Sequence, residues 1–103
     1  MREYKFKRGF RPTAERLEEM LNKHFGGFEF DGECYLVRNF GAIEVLRLKL
    51  ENKKLYAESR TKLTDDETAL KTLKTYNRFL EELTGYTAKE RLKMMKEEAE
   101  KVD

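Results

Sequence analysis

Residues 27–61, GFEFDGECYLVRNFGAIEVLRLKLENKKLYAESRT, decide the fold of this chain. Apolar and polar side chains alternate here in four short runs separated by turn residues. A period of two is the mark of half-buried β-strands. The runs are residues 28–30, 33–39, 42–50 and 55–61, with turns at Asp31-Gly32, at Phe40-Gly41 and near Asn52. Asp-Gly is a strong hairpin signal, because the favoured two-residue turns require positive φ. Connections this short join only antiparallel neighbours.

On the N-terminal side, residues 2–8 also alternate, with Tyr4 and Phe6 opposite Glu3, Lys5 and Lys7. Gly9 and Pro12 end that strand, and Pro12 or Thr13 opens a helix to about His24. Its apolar face is Ala14, Leu17, Met20, Leu21 and Phe25, and Gly26-Gly27 terminates it. On the C-terminal side, Thr64-Asp65-Asp66-Glu67 reads as a capping box. The helix it starts carries Leu70, Leu73, Tyr76, Asn77, Leu80 and Leu83 and stops at Gly85. A second capping box, Thr87 to Glu90, opens a last helix with Ala88, Leu92, Met95, Ala99 and Val102 along one stripe. The expected order is β-α-β-β-β-β-α-α. The fold class is α+β, a two-layer arrangement of an antiparallel sheet packed on helices. Residues 1–85 form the expected single domain, and residues 86–103 a C-terminal helical extension.

A chain of 103 residues buries roughly two-thirds of its unfolded surface, enough for one core without staples. Charged residues are 41% of the chain but balance to +2, so charge alone does not imply nucleic acid. Lys and Glu abound and Gln is absent, a composition that leans toward a thermophile. Cys34 is the single cysteine, which rules out an internal disulfide and any two-cysteine metal motif. No leader and no long apolar run is evident, so a cytoplasmic protein that does not span a membrane is expected.

The opening MREYKFKRGF and the segment FGGFEFDGECYLVRNFGAIEVL (residues 25–46) resemble a family of small uncharacterised archaeal proteins. Together with the element order, they resemble one repeat of the TATA-box-binding-protein-like fold over about residues 1–85. The resemblance implies that architecture and no activity, and it carries over no functional residue. One repeat lacks the paired saddle that grips bent DNA, and function belongs to sites rather than to folds.

If every hairpin turn has an even length, residues opposite one another share a face across the sheet. Phe28, Phe30, Tyr35, Val37, Leu46, Leu48, Leu50, Leu55 and Ala57 then face the first two helices. The other face receives Glu29, Cys34, Leu36, Arg38, Ile43, Val45, Arg47, Lys49, Tyr56, Glu58 and Arg60. Cys34, Leu36, Ile43, Val45 and Tyr56 form an apolar island there, rimmed mainly by cations. Such a patch calls for a cover. The last helix could fold over it, two copies could meet through it, or it could bind nucleic acid. In the last case Tyr56 would stack, and Arg38, Arg47, Lys49 and Arg60 would take phosphates.

No catalytic constellation accompanies it. His24 is the one histidine, at a helix end where a solvated or capping role is expected. Cys34 reads as a packed thiol that Arg38 or Arg47 could activate. Asp31/Glu33 belong to a turn and Asp65/Asp66/Glu67 to a helix start. The glycines match no phosphate-binding spacing. The expectation is a non-enzymatic interaction module with no cofactor and no metal. It would self-associate as a homodimer, or bind another protein, through the open sheet face or the Leu92, Met95, Ala99 stripe. Nucleic-acid binding by the same sheet face is the alternative.

Overall fold

Positive φ at Asn52 (52°) and Lys53 (62°) makes a two-residue turn whose hand matches the twist of the strands it joins. The turn sets Glu51 opposite Lys54 and fixes the register of the last hairpin. The computed structural model describes the backbone of residues 1–100 and the side chains of residues 1–96. The chain runs β1 (Arg2–Tyr4), α1 (Ala14–Phe25), β2 (Glu29–Phe30), β3 (Tyr35–Phe40), β4 (Ile43–Glu51), β5 (Lys54–Thr61), α2 (Asp66–Thr84) and α3 (Ala88–Glu100). The strands form a five-stranded antiparallel sheet in the order β1-β5-β4-β3-β2.

The core lies between one face of this sheet and the α1–α2 pair. Leu17, Leu21, Phe79 and Leu83 from the helices meet Tyr35, Val37, Leu46, Leu48, Leu55 and Ala57 from the strands. Burying a large apolar side chain contributes about 1.5–3 kcal/mol, so this seam dominates stability. Phe30 shares the face but is left exposed, because β2 is the sheet edge.

Two connections differ from the two-residue turns expected. Between β2 and β3 the loop takes up residues 31–34, since Phe30 pairs with Tyr35. The Asp31 carboxylate accepts the amides of Glu33 (2.9 Å) and Cys34 (2.7 Å), which rigidifies the longer loop. Two additional residues leave face parity intact, but Cys34 ends a loop instead of lying mid-strand. Between β3 and β4 the turn is Gly41-Ala42, one residue later than expected, so the register moves by two and Arg38 opposes Val45 instead of Ile43, with face parity kept.

Parity does break at the tip of that hairpin. Asn39 has φ 53°, and the β4–β5 register shifts between Ile43 and Val45. A bulge of one residue reverses which way side chains point. Ile43, expected on the outer face, is therefore in the core, 4% exposed. Phe40 turns inward with it, edge-on to Phe25 at 4.9 Å.

The helix ends show where side chains outcompeted the expected pattern. Thr13 caps α1 as expected, accepting the Arg16 amide, and Gly26 at φ 76° closes it. The cap of α2 is Asp65 rather than Thr64. Its carboxylate takes both the amide (3.0 Å) and the hydroxyl (2.7 Å) of Thr68, which one threonine hydroxyl could not do. At α3 the Thr87–Glu90 box forms reciprocally, each bond 3.1 Å. β1 is shorter than the alternation suggested. Beyond it the Lys7 amide donates to the Thr84 carbonyl (2.7 Å), so the chain leaves the sheet to cap the end of α2.

The sheet-facing side of α2 runs through Thr72, Phe79, Leu80 and Leu83. Leu70 and Leu73, expected in its apolar face, point away from the core. Phe79, fully buried at the centre, was not singled out from the sequence.

Candidate interaction surface

The register places Leu36, Arg38, Val45, Arg47, Lys49, Tyr56 and Arg60 together on the outer face. Leu36 opposes Arg47 and Glu29, Arg47 opposes Glu58, Val45 opposes Arg60, and Lys49 opposes Tyr56. Cys34 and Leu36 are only 3% and 8% exposed although neither belongs to the core cluster. The Arg47 guanidinium lies 4.0 Å from the Cys34 sulfur. Long cationic stems can cover apolar surface while the charged head stays in water. With Ile43 gone to the core, what remains of the island is Val45 and Tyr56, both half-buried.

Two cations of this face are also engaged. Arg38 Nε is 2.6 Å from Glu29, and Lys49 Nζ is 3.1 Å from Glu33 and 3.5 Å from Glu51. The Lys49 ammonium is held above its ordinary pKa, first by its hydrogen bond to Glu33 and then by Glu51. Arg38 and Lys49 are thus paired with carboxylates near them and contribute little to a basic patch.

The last helix lies elsewhere. α3 leans on α2 and on β1, at the far edge of the sheet from β2. Arg91 is buried and donates to the Tyr86 carbonyl (2.6 Å) and to Asn77 Oδ1 (3.1 Å), while Met95 packs on the core. Burial lowers the Arg91 pKa, and Tyr4, Tyr76 and Glu81 work against that. The Tyr76 phenol is pushed up, by burial first and then by Tyr4. Leu92 stays exposed, and the side chain of Ala99 lies outside the described residues, as does Val102.

Apart from Met1, Phe10 and the edge residue Phe30, the large exposed apolar side chains are leucines of α2, α3 and the segment before α2. Leu70, Leu73 and Leu92 are each more than half exposed, and Leu63 fully so. Of these, Leu73 lines a cleft of about 420 Å³ between α2 and the ends of β4 and β5. Ile43, Thr72 and Tyr76 form its depth, with Ser59, Thr61 and Leu73 at the rim. Its cause is local. Toward its N-terminus α2 presents Ala69 and Thr72 to the sheet, too small to fill the gap that Phe79 and Leu83 close further along. Leu73 and Tyr76 also line a second groove of about 210 Å³ that runs to Leu92 and Met95. Cleft and groove together make one apolar strip. Sequence reasoning missed it because Leu70 and Leu73 fit a helical stripe as well as the true core residues do.

The remaining candidates have structural roles. His24, expected to be solvated or to cap the helix, is largely buried, its ring edge-on to Phe79. Its Nε2 is 3.3 Å from Glu82, at an angle that leaves it without a well-formed hydrogen bond. Glu82 is held below the usual carboxylate range, chiefly by Lys23 at 2.8 Å and then by His24. Asp31 and Asp65 are lowered too, by the loop amides of Cys34 and Glu33 and by Thr68. Among the described residues no three His, Cys, Asp or Glu side chains converge on a metal-sized point. Among them, no helix is long and apolar enough to cross a membrane.

No curated protein matches this chain. A solved structure is similar: the solution structure, by NMR, of hypothetical protein TA0095 from Thermoplasma acidophilum. Identity is 32%, the match covers 92% of this chain and 97% of the other, and the TM-score is 0.61. This neighbour is archaeal, and it carries the same α+β architecture over nearly its whole length. The model of a domain of unknown function, DUF5611, matches residues 1–97, and the chain belongs to that family.

Proposed function

We propose that this protein is a non-enzymatic interaction module that binds another protein through the apolar strip along α2 and α3. One observation carries the reading: Leu73, more than half exposed, lines both the cleft and the neighbouring groove, and the exposed Leu92 lines that groove with it. Isolated surface leucines need no explanation, but a contiguous set beside a concavity marks a partner site more often than chemistry. The same reading takes the fold as one repeat of the TATA-box-binding-protein-like arrangement, supported by the order β1-α1-β2-β3-β4-β5-α2. A lone cysteine and the Lys/Glu-rich composition fit work in the cytoplasm of a thermophile.

The outer sheet face is the weaker candidate surface. Its Arg38 and Lys49 would have to give up carboxylates before gripping phosphates. The test compares the full chain with its Leu73→Asp variant as immobilised bait. Leu73 is half in water, so the variant folds, and proteins retained by the parent are released by it. Equal retention by both removes the proposal.

A further inference from the structure

β5 runs from Lys54 to Thr61, yet β1 pairs only with its Leu55, Tyr56 and Ala57. Its last four residues, 58–61, are all exposed, and among the described residues no strand pairs with their outer edge. Which backbone groups are free follows from the hairpin. In a two-residue turn the flanking pair, Glu51 and Lys54, bond each other, so even-numbered residues of β5 direct their N–H and C=O toward β4. The Lys62 amide, donating to the Ala42 carbonyl at 2.9 Å, has the same parity at the other end. Odd-numbered residues point away. Leu55 and Ala57 serve β1, and Ser59 and Thr61 each present a donor and an acceptor to the outside.

These open groups lie at the mouth of the apolar cleft, because the Ser59 and Thr61 side chains line it. We infer that the β5 edge takes an added strand from another polypeptide, an extended segment with apolar residues two apart and an acidic residue between them. The backbone of such a segment pairs with Ser59 and Thr61. Its apolar side chains drop toward Ile43 and Leu73 on the cleft side. Its acidic side chain emerges on the outer face beside Arg60. Arg60 sits across from Val45 on β4, whereas Arg47 already faces Glu58. Lys62 adds a second cation at the same end.

A second copy of this chain fits less well. The twofold register that uses all four free groups pairs Ser59 with Thr61 of the copy. It then sets Arg60 directly against the same arginine, and like charges opposite one another destabilise a pair. The inference rests on the interaction-module reading and specifies how the partner is held.

The test is an amide NMR titration of the full chain with the peptide SVEVEVS and its counterpart SVKVKVS. The acidic peptide shifts and protects the Ser59 and Thr61 amides, and the lysine peptide binds about tenfold more weakly. Thr61→Pro removes only an outward-pointing donor, which an edge strand tolerates, and weakens the acidic peptide about tenfold or more. Should that variant unfold, Arg60→Glu replaces it and reverses the preference between the peptides. Shifts confined to Leu73 and Leu92, with Thr61→Pro binding as well as the parent, overturn strand addition but leave the interaction strip standing. No shift with either peptide overturns strand addition. Concentration-dependent shifts at Ser59 and Thr61 without peptide make the occupant a second copy, and likewise overturn it.

Discussion

Replacing Thr72 by valine should destabilise the protein by about 1–3 kcal/mol, although the two side chains have nearly the same shape. The Thr72 hydroxyl accepts the buried Ala42 amide at 3.0 Å and donates back to the Thr68 carbonyl at 2.7 Å. Valine fills the same space and leaves that amide without an acceptor. The penalty is then the desolvation of an unpaired buried donor, which exceeds the net value of an average hydrogen bond. Helix propensity barely changes between the two β-branched residues. For a domain of this size each kcal/mol shifts Tm by about 4–8 °C, so a loss near 2 kcal/mol lowers it by about 8–16 °C. Thermal and urea unfolding followed by circular dichroism read this directly. Thr72→Ser keeps the hydroxyl and serves as the internal control, with the smaller loss expected for one methyl group. The site matters beyond stability, because this bond holds the β3–β4 turn onto α2 and so shapes the cleft. Gly41, at φ 54° and directly against Thr72, leaves no room for a side chain. If Thr72→Val unfolds within about 0.5 kcal/mol of the parent, the bond does not hold the turn.

Three further outcomes follow from other parts of the molecule. Arg91→Leu should loosen α3, with amide exchange in residues 88–96 about tenfold faster and the β3–β5 strands unchanged, since Tyr86 and Asn77 lose their shared donor. The carboxyls of Asp31, Asp65, Glu82 and Glu90 are all held below their usual values. A depressed folded pKa contributes stability above the unfolded value and loses it as pH falls through the folded one. Urea midpoints should therefore be level from pH 7 to about 5 and decline below about pH 4. Cys34, 3% exposed and at the end of a loop pinned by Asp31, should react with a neutral thiol reagent slowly in the native state and rapidly in urea.

Much of the architecture was legible because hairpin geometry is local. Even-length connections preserve face parity whether they hold two residues or four, so the loop at residues 31–34 did not disturb the assignment of Tyr35, Val37, Leu46 and Leu48. A single-residue bulge does disturb it. Nothing in Asn39-Phe40-Gly41-Ala42-Ile43 announces that Asn39 will take a left-handed conformation and carry Phe40 and Ile43 inward. The caps were readable to within one residue. At α2 the choice between Thr64 and Asp65 was settled by Thr68, whose amide and hydroxyl both bind the aspartate.

The face of α2 was ambiguous for a different reason. Leu70, Leu73, Asn77 and Leu80 make one stripe at helical spacing, and Thr72, Tyr76, Phe79 and Leu83 make another about a third of a turn away. Periodicity cannot choose between them. The sheet chose the second, because Phe79 fills the centre opposite Leu46 and Leu48, and two leucines were left in water. The candidate site is thus a by-product of packing that only the assembled layers reveal.

Which side of the sheet meets a partner can be measured with a photo-crosslinking side chain installed at position 73, on the helical strip, or at position 45, on the outer face. In cells expressing the full chain, position 73 should give a discrete protein adduct and position 45 none. A discrete adduct at position 45 with none at position 73 would place the contact on the outer sheet face and contradict the account.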